Sequence, residues 1–262
     1  MAEKKYMTWL AHGGAFIDET RILLDIFDPA VDINTWVEQI VRKNVLGKRS
    51  RSWTNEIVKR YFLARFVTKE SSYAWKALKI LCAKNVDLSI IRSIMYYHTA
   101  KIDDFFYDFV ILDLFDRYYA GQLAISSGDV YKFIESAKPG MFDQMWSDSV
   151  KGRLSRGVMS TLRDFGILEG KSKKQIANFY LPIEAFAYVA FLIHSRVSTG
   201  ELIIQNEDWK LFLLKPQAVE RMFLESHQTG YLKYHAAGRL IRIEFPYHST
   251  EELAHDIASG AY

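Results

Sequence analysis

The stretch that decides the fold is residues 147–182, SDSVKGRLSRGVMSTLRDFGILEGKSKKQIANFYLP. Placed on a helix at about 100° per residue, residues 150–165 gather their apolar side chains on one face. The opposite face carries Arg153, Arg156, Ser160 and Arg163. We expect these four side chains to point outward together and to be free of protein neighbours. Gly166 then predicts the end of the helix.

A short β-hairpin is predicted directly after this helix. Residues 166–170 indicate a helix stop followed by a strand start, and residues 175–181 form a plausible return strand. The polar tip between them carries Lys171, Lys173 and Lys174. A helix followed at once by a basic hairpin is typical of a winged helix-turn-helix. In that arrangement the exposed helix face enters a major groove of DNA, and the hairpin tip reaches the flanking backbone.

Composition bounds the class of protein. The 262 residues are 49% hydrophobic and 25% charged, as in ordinary globular proteins, and are enough for two or three domains. Only 14 glycines and 5 prolines favour helices over a many-turned β fold. Because the net charge is only +3, a nucleic-acid site must come from a local patch. For the arginine face, a merely solvated helix surface is the alternative interpretation.

The most basic segment is residues 48–84, with ten lysines and arginines against two glutamates, a net charge of +8. A second candidate DNA-binding patch within it comprises Arg49, Arg51, Lys59 and Arg60. Arg49 and Arg51 precede a predicted helix N-terminus, where a phosphate can be held. A solvated loop is the alternative. Arg65 shares a helix side with apolar residues and is expected to be buried and paired.

The whole pattern predicts a mainly α protein, in which a multi-helical N-terminal bundle precedes two helix-plus-β-hairpin, winged helix-turn-helix-like units. Three domains are expected. The bundle covers residues 1–102, the central helix and the first unit cover residues 103–196, and the second unit covers residues 197–262. The central helix, over residues 103–119, is apolar on two sides and should lie buried. The second unit has no arginine row, so we assign it to structure or protein contacts.

The sequence shows no catalytic motif. It has no P-loop, no dinucleotide fingerprint and no nucleophile elbow, and its seven histidines lack ligand spacing. The run His12-Gly13-Gly14 resembles an oxyanion-hole loop, but no Gly-x-Ser-x-Gly follows it. The single cysteine excludes an internal disulfide. We therefore expect a protein that is not an enzyme and that has no cofactor and no metal site.

A cytoplasmic location without membrane insertion is also expected. The single cysteine suits a reducing compartment, and the start of the sequence lacks the apolar core of a signal peptide. The most apolar run, residues 185–193, is too short to cross a bilayer. It predicts a buried helix instead.

Several motifs occur in a characteristic order along the chain. They are Gly13-Gly14 with Glu19, Trp36-Val37-x-x-Ile40-Val41 closing on Asn44-Val45-Leu46, a Ser/Thr-initiated helix with Lys59-Arg60, Leu162-Arg163-Asp164-Phe165-Gly166-Ile167-Leu168, Trp209-x-Leu-Phe, and a terminal helix and hairpin around Gly238. In order and spacing they resemble the BrxA family of bacterial BREX (bacteriophage exclusion) defence systems.

The resemblance implies a mostly helical, non-catalytic protein with DNA-binding character. Such systems also encode a methyltransferase, a large ATPase and an alkaline-phosphatase-like protein. Duplex DNA and other BREX proteins are therefore the expected partners, and the family supplies no catalytic residues. Two other hypotheses stay open: an assembly adaptor whose winged units bind proteins, and an RNA-binding protein that uses the basic N-terminal helices.

Overall fold

The structure is a computed structural model, and it describes residues 4–138, 140–142, 146–197, 199–238 and 240–260. Helices dominate these residues, and two small antiparallel sheets accompany them. The prediction of a mainly α protein is therefore confirmed. The buried apolar side chains form one continuous cluster that draws on the N-terminal, central and C-terminal parts of the chain. The three-domain division stays a prediction.

The N-terminal bundle begins with a 3₁₀ turn at Trp9–Ala11. Its helices are α1 (Ile17–Ile26), α2 (Ile33–Lys43), α3 (Arg51–Glu56), α4 (Trp75–Ala83) and α5 (Leu88–Ile102). Helix α3 continues directly as a π-helical stretch, Ile57–Val67. The side chains of Asp32 and Ser50 accept hydrogen bonds from backbone amides at the starts of α2 and α3, so ordinary N-caps set both helix boundaries.

One interrupted helix crosses the middle of the molecule. It consists of α6 (Asp104–Asp108), a π-helical stretch (Phe109–Leu114) and α7 (Phe115–Tyr119). Phe105, Phe106 and Phe109 are completely buried. The two-sided apolar pattern of the sequence predicts this placement between neighbouring layers, and the structure confirms it.

The central unit follows this helix. It comprises β1 (Ala124–Ile125), α8 (Ser127–Ser136), α9 (Asp148–Asp164), β2 (Leu168–Glu169) and β3 (Lys174–Ile176). The strands form an antiparallel sheet in the order β1-β3-β2, with Leu168 opposite Ile176 and Ile125 opposite Lys174. Gly166 follows the helix at φ +83°, where a side chain would be strained. The predicted helix and hairpin are confirmed, but the return strand ends at Ile176 rather than at Leu181, and β1 was not predicted.

The C-terminal part repeats this plan. Its elements are α10 (Ile183–His194), α11 (Gly200–Ile204), a 3₁₀ helix (Glu207–Phe212), α12 (Pro216–Gln228), β4 (Lys233–Ala237), β5 (Leu240–Glu244) and α13 (Thr250–Ser259). The predicted second hairpin is confirmed, because β4 and β5 pair along their whole lengths. Helix α13 packs against α4 and α10, so the last helix returns to the N-terminal bundle.

A buried carboxylate joins the C-terminal part to α5 of the bundle and to α6 of the central helix. Asp208 accepts hydrogen bonds from the hydroxyls of Tyr97 and Tyr107, both at 2.7 Å, and from Lys101 Nζ at 2.8 Å. Burial raises the pKa of Asp208, but the ammonium and the two hydroxyls outweigh it and hold the pKa below its ordinary value. This carboxylate is therefore well satisfied and structural.

Arg65 is buried, as predicted, but its partners are main-chain carbonyls rather than a carboxylate. Its guanidinium donates to the carbonyls of Gly14 at 3.3 Å and Ala15 at 3.2 Å, and it lies 4.8 Å from the centre of the Tyr61 ring. Burial lowers the pKa of Arg65 to about 10. The side chain therefore stays charged and fixes the chain before α1.

Asp103 is a second buried ionisable group, and it caps α6. Its Oδ1 accepts the Phe106 amide at 3.0 Å, while its buried Oδ2 has no hydrogen-bond partner among the residues that the structure describes. Burial raises the pKa of Asp103 to about 6, against the opposing effects of the Phe106 amide and Arg65.

This shift predicts a pH-dependent effect of Asp103→Asn. Because the pKa in the folded state lies above that in the unfolded state, the wild-type protein loses stability as the pH rises from about 4 to about 6. The asparagine keeps an acceptor for the Phe106 amide and does not titrate. The free energy of unfolding of the variant, relative to wild type, is expected to rise by up to about 3 kcal/mol across this window. Urea unfolding at several pH values measures it; a pH-independent difference would contradict the assignment.

Candidate nucleic-acid interface

Helix α9 buries one face and exposes the other. Leu154, Val158 and Leu162 are completely buried, whereas Arg153, Arg156 and Arg163 are exposed and Ser160 is half-buried. The Ser147 hydroxyl accepts the Val150 amide and caps the helix, which runs without interruption to Asp164. The four predicted residues therefore stand on one continuous helix, on its outer side.

The first residues of the chain support α9 from one side. A Cβ atom at Gly157 would lie only 1.7 Å from the carbonyl oxygen of Leu10. Only glycine therefore allows the 3₁₀ turn to pack this closely on the helix. At Gly14, a Cβ atom would lie 2.9 Å from Asp164 Oδ2, which places the chain before α1 beside the C-terminal end of α9 as well.

The arginines of the row differ in their partners. Arg153 and Arg156 form no ion pair within the described part of the chain. Arg163 Nη2 lies 2.8 Å from Asp164 Oδ1 and 3.4 Å from the Ser160 hydroxyl. The expectation that the whole row is free of protein neighbours is therefore wrong for Arg163, since Asp164 follows it in sequence and reaches back. Both side chains of this pair are partly exposed, and such surface pairs contribute only about 0–1 kcal/mol.

The hairpin tip carries the three predicted lysines. Lys171 and Lys173 are exposed, and Lys174 is half-buried. Lys174 Nζ donates to the carbonyl of Lys171 at 3.0 Å, so it closes the tip as well as adding charge. Gly170 adopts φ +92° and its Cβ position lies 2.1 Å from the Lys173 carbonyl oxygen, which makes glycine necessary for this turn.

A cleft of about 660 Å³ lies between α9, the hairpin tip and the start of α8. Its lining comprises residues 124–127, Asp129, Arg156, Met159, Ser160 and residues 172–174. The carboxylate in this lining belongs to Asp129, which accepts hydrogen bonds from the Ser126 amide and hydroxyl and lies 3.4 Å from Arg117. The cleft therefore brings together three of the predicted cations, Arg156, Lys173 and Lys174. Its carboxylate already has hydrogen-bond and ion-pair partners of its own.

Of the serines that line this cleft, the sequence predicts Ser160 as a site residue but not Ser126, Ser127 or Ser172. Ser126 and Asp129 form a capping box at the start of α8. Their position facing α9 depends on β1, which pairs with β3 over two residues only. A two-residue strand has no measurable periodicity, so no signal in the sequence places Ser126, Ser127 or Ser172 at the interface.

The second candidate patch extends from the loop before α3 to its π-helical continuation. Arg49, Arg51 and Lys59 are exposed and form no ion pair within the described residues, whereas Arg60 Nη1 lies 2.8 Å from Glu56. None of these four lines the cleft beside α9. The structure therefore keeps the two patches on separate elements.

Within the described ranges, no group of three or more His, Cys, Asp or Glu side chains is arranged to hold a metal ion. Of the helices in the described part of the chain, none combines the length and the apolar character needed to span a bilayer.

Fold and interface together define a mainly helical protein with a cationic helix and hairpin on one face. The chain belongs to the BrxA family, whose model matches residues 4–192. This membership confirms the resemblance in the sequence and implies a role in BREX phage defence.

A solved structure shares part of the fold. The crystal structure of an uncharacterized protein from Magnetospirillum magneticum superimposes with a TM-score of 0.54 at 15% sequence identity, covering 80% of this chain and 100% of that chain. At this identity the similarity concerns the fold alone. No curated protein matches the chain.

Proposed function

We propose that this protein is a non-catalytic BREX component that binds double-stranded DNA through α9 and the adjoining hairpin. The observation that carries the proposal is the uninterrupted α9, which presents Arg153, Arg156 and Arg163 on its outer side next to a lysine-bearing tip. This helix of 17 residues is about 25 Å long, and its diameter of about 10–12 Å fits a major groove about 12 Å wide.

The order of elements supports a winged helix-turn-helix interpretation of the central unit. A long helix leads to β1, then to α8 and α9, and then to the β2–β3 hairpin, with β1 beside β3 in the sheet. In such a unit α9 is the recognition helix and the hairpin is the wing. Lys171 and Lys173 then reach the DNA backbone, while the arginines of α9 meet base edges or phosphates.

Arg49, Arg51, Lys59 and Arg60 form the second part of the proposal. Arg49 precedes α3 and Arg51 is its first residue, while Lys59 and Arg60 lie on its continuation. Exposed guanidinium and ammonium groups are common donors to backbone phosphates, and such contacts carry no direct sequence information. This patch would therefore add affinity without sequence preference.

The C-terminal unit is better suited to protein partners. The exposed face of α12 carries Gln217, Glu220, Arg221, Leu224 and Gln228. Opposite charges and an apolar side chain on one face do not favour a polyanion, and Leu240 at the second hairpin is 74% exposed. We assign this unit to contacts with other BREX proteins, within the same complex that holds DNA.

A salt titration of binding tests the proposed function. Affinities for duplex DNA, single-stranded DNA and RNA of matched length are measured between 50 and 500 mM salt. If the six cations of α9 and the hairpin each contact a phosphate, the duplex should bind most tightly, with a logarithmic salt slope of about −5. Tighter binding of RNA would favour the RNA hypothesis, and retention of BREX proteins without DNA at low salt would favour the adaptor.

A further inference from the structure

We propose that the cleft between α9, the hairpin tip and the start of α8 seats the phosphate backbone of one DNA strand, so that Arg156 contacts a phosphate rather than a base. This inference rests on the proposed function and refines it. It assigns Arg156 to the DNA backbone, whereas Arg153 and Arg163 lie outside the cleft and can contact bases.

The chemistry of the cleft suits a phosphate. Arg156, Lys173 and Lys174 bring three positive charges to its walls, and the hydroxyls of Ser160 and Ser172 stand beside them. Ammonium, guanidinium and hydroxyl groups are the side-chain donors that most often contact DNA phosphates. Its volume of about 660 Å³ lies within the range of about 300–1,000 Å³ that ligand sites occupy.

The electrostatics of the cleft agree with an anionic occupant. Asp129 contributes the carboxylate of the lining, and its Oδ2 already accepts from the Ser126 amide at 2.9 Å and hydroxyl at 2.7 Å. Arg117 lies 3.4 Å from its other oxygen. Three cations against one compensated carboxylate leave the cleft positive, and Arg156 has no ion-pair partner within the described residues.

The floor of the cleft explains why a base edge is the poorer occupant. Ile125 and Met159 lie beneath it and are almost completely buried, so they offer no donor or acceptor pattern that could distinguish bases. Arg153 and Arg163 do not line the cleft, although they share the outer side of α9 with Arg156. Base recognition therefore falls to these two, outside the cleft.

The test is a salt titration of Arg156→Ala and Lys173→Ala on several duplexes of unrelated sequence. Each variant should lower the salt slope by about 0.9 and weaken binding about eightfold at 0.1 M salt, equally for every duplex. Arg221→Ala, on α12, removes the same charge elsewhere and should change neither quantity. Ser160→Phe adds an uncharged ring to the cleft wall and should reproduce the loss of affinity and slope.

The outcomes separate this inference from the proposed function. If wild type shows no salt-dependent duplex binding, the proposed function fails and the cleft assignment fails with it. If wild type binds but Arg156→Ala changes the ranking of the duplexes, Arg156 contacts bases and only the cleft assignment is overturned. If Ser160→Phe keeps the wild-type affinity for duplex DNA while Arg156→Ala lowers it, the phosphate lies outside the cleft. Thermal unfolding of each variant checks that it is folded.

Discussion

Duplex DNA is expected to bind at least about 200-fold more weakly at 0.1 M salt when Arg153, Arg156 and Arg163 are all replaced by alanine. All three side chains are exposed on the outer side of α9, and each contact with a phosphate contributes about 0.9 to the logarithmic salt slope. The slope should fall by about 0.9, for the phosphate contact of Arg156. The loss of affinity should be about eightfold for Arg156 and about 1–3 kcal/mol for each base contact of Arg153 and Arg163. The pairing of Arg163 with Asp164 does not spare it, because its removal leaves the carboxylate uncompensated beside the DNA.

The control for this variant removes three exposed charges from other elements. Lys84, Arg221 and Lys233 lie at the end of α4, on α12 and on β4, and all are exposed. Their triple alanine variant has the same net charge as the α9 variant, and it should keep the wild-type affinity and slope. If both triple variants lose affinity equally, the interaction depends on total charge and α9 has no special part in it.

Gly157→Ala is expected to have the largest effect on folding. The added methyl group would lie 1.7 Å from the Leu10 carbonyl oxygen, so either the first turn or α9 must move. Displacing packed backbone costs roughly 3 kcal/mol or more, which exceeds the gain of about 1 kcal/mol that alanine gives inside a helix. The free energy of unfolding should therefore fall, as chemical denaturation would measure.

Gly152→Ala is the matched control in the same helix. Its Cβ position lies 3.5 Å from Arg156 Nη1, an ordinary contact with a flexible side chain. The same substitution should therefore stabilise the protein by about 0.5–1 kcal/mol. Equal effects of the two substitutions would show that the turn at Leu10 does not pack on α9 as the structure has it.

Local signals in the sequence were sufficient to predict the elements that carry the candidate site. The apolar spacing of residues 150–165, the stop at Gly166 and the lysine-rich turn indicate α9 and its hairpin without tertiary information. The mainly α class followed in the same way from long amphipathic segments. The family resemblance rested on the order of such motifs, and the family model confirms it over residues 4–192.

The structural features that the sequence does not predict depend on contacts between segments far apart in the chain. The approach of Leu10 to Gly157 and the pairing of β1 with β3 join residues far apart in sequence, and neither has a local pattern. The pairing of Arg163 with Asp164 depends on rotamers of adjacent residues, which helical spacing does not determine. The cleft is formed by these contacts, so the sequence does not predict that Ser126, Ser127 and Ser172 line it.

The stretch before α1 has a mechanical consequence for both cationic patches. Leu10 packs on α9, while Tyr61, on the continuation of α3, donates its hydroxyl hydrogen bond to the Trp9 carbonyl and packs against Phe16. The segment from Trp9 to Phe16 therefore contacts both the helix that carries the first cationic patch and the helix that carries the second. These contacts fix the distance between the two patches. A DNA duplex that contacted both patches would therefore be bound at one fixed position along its helical axis.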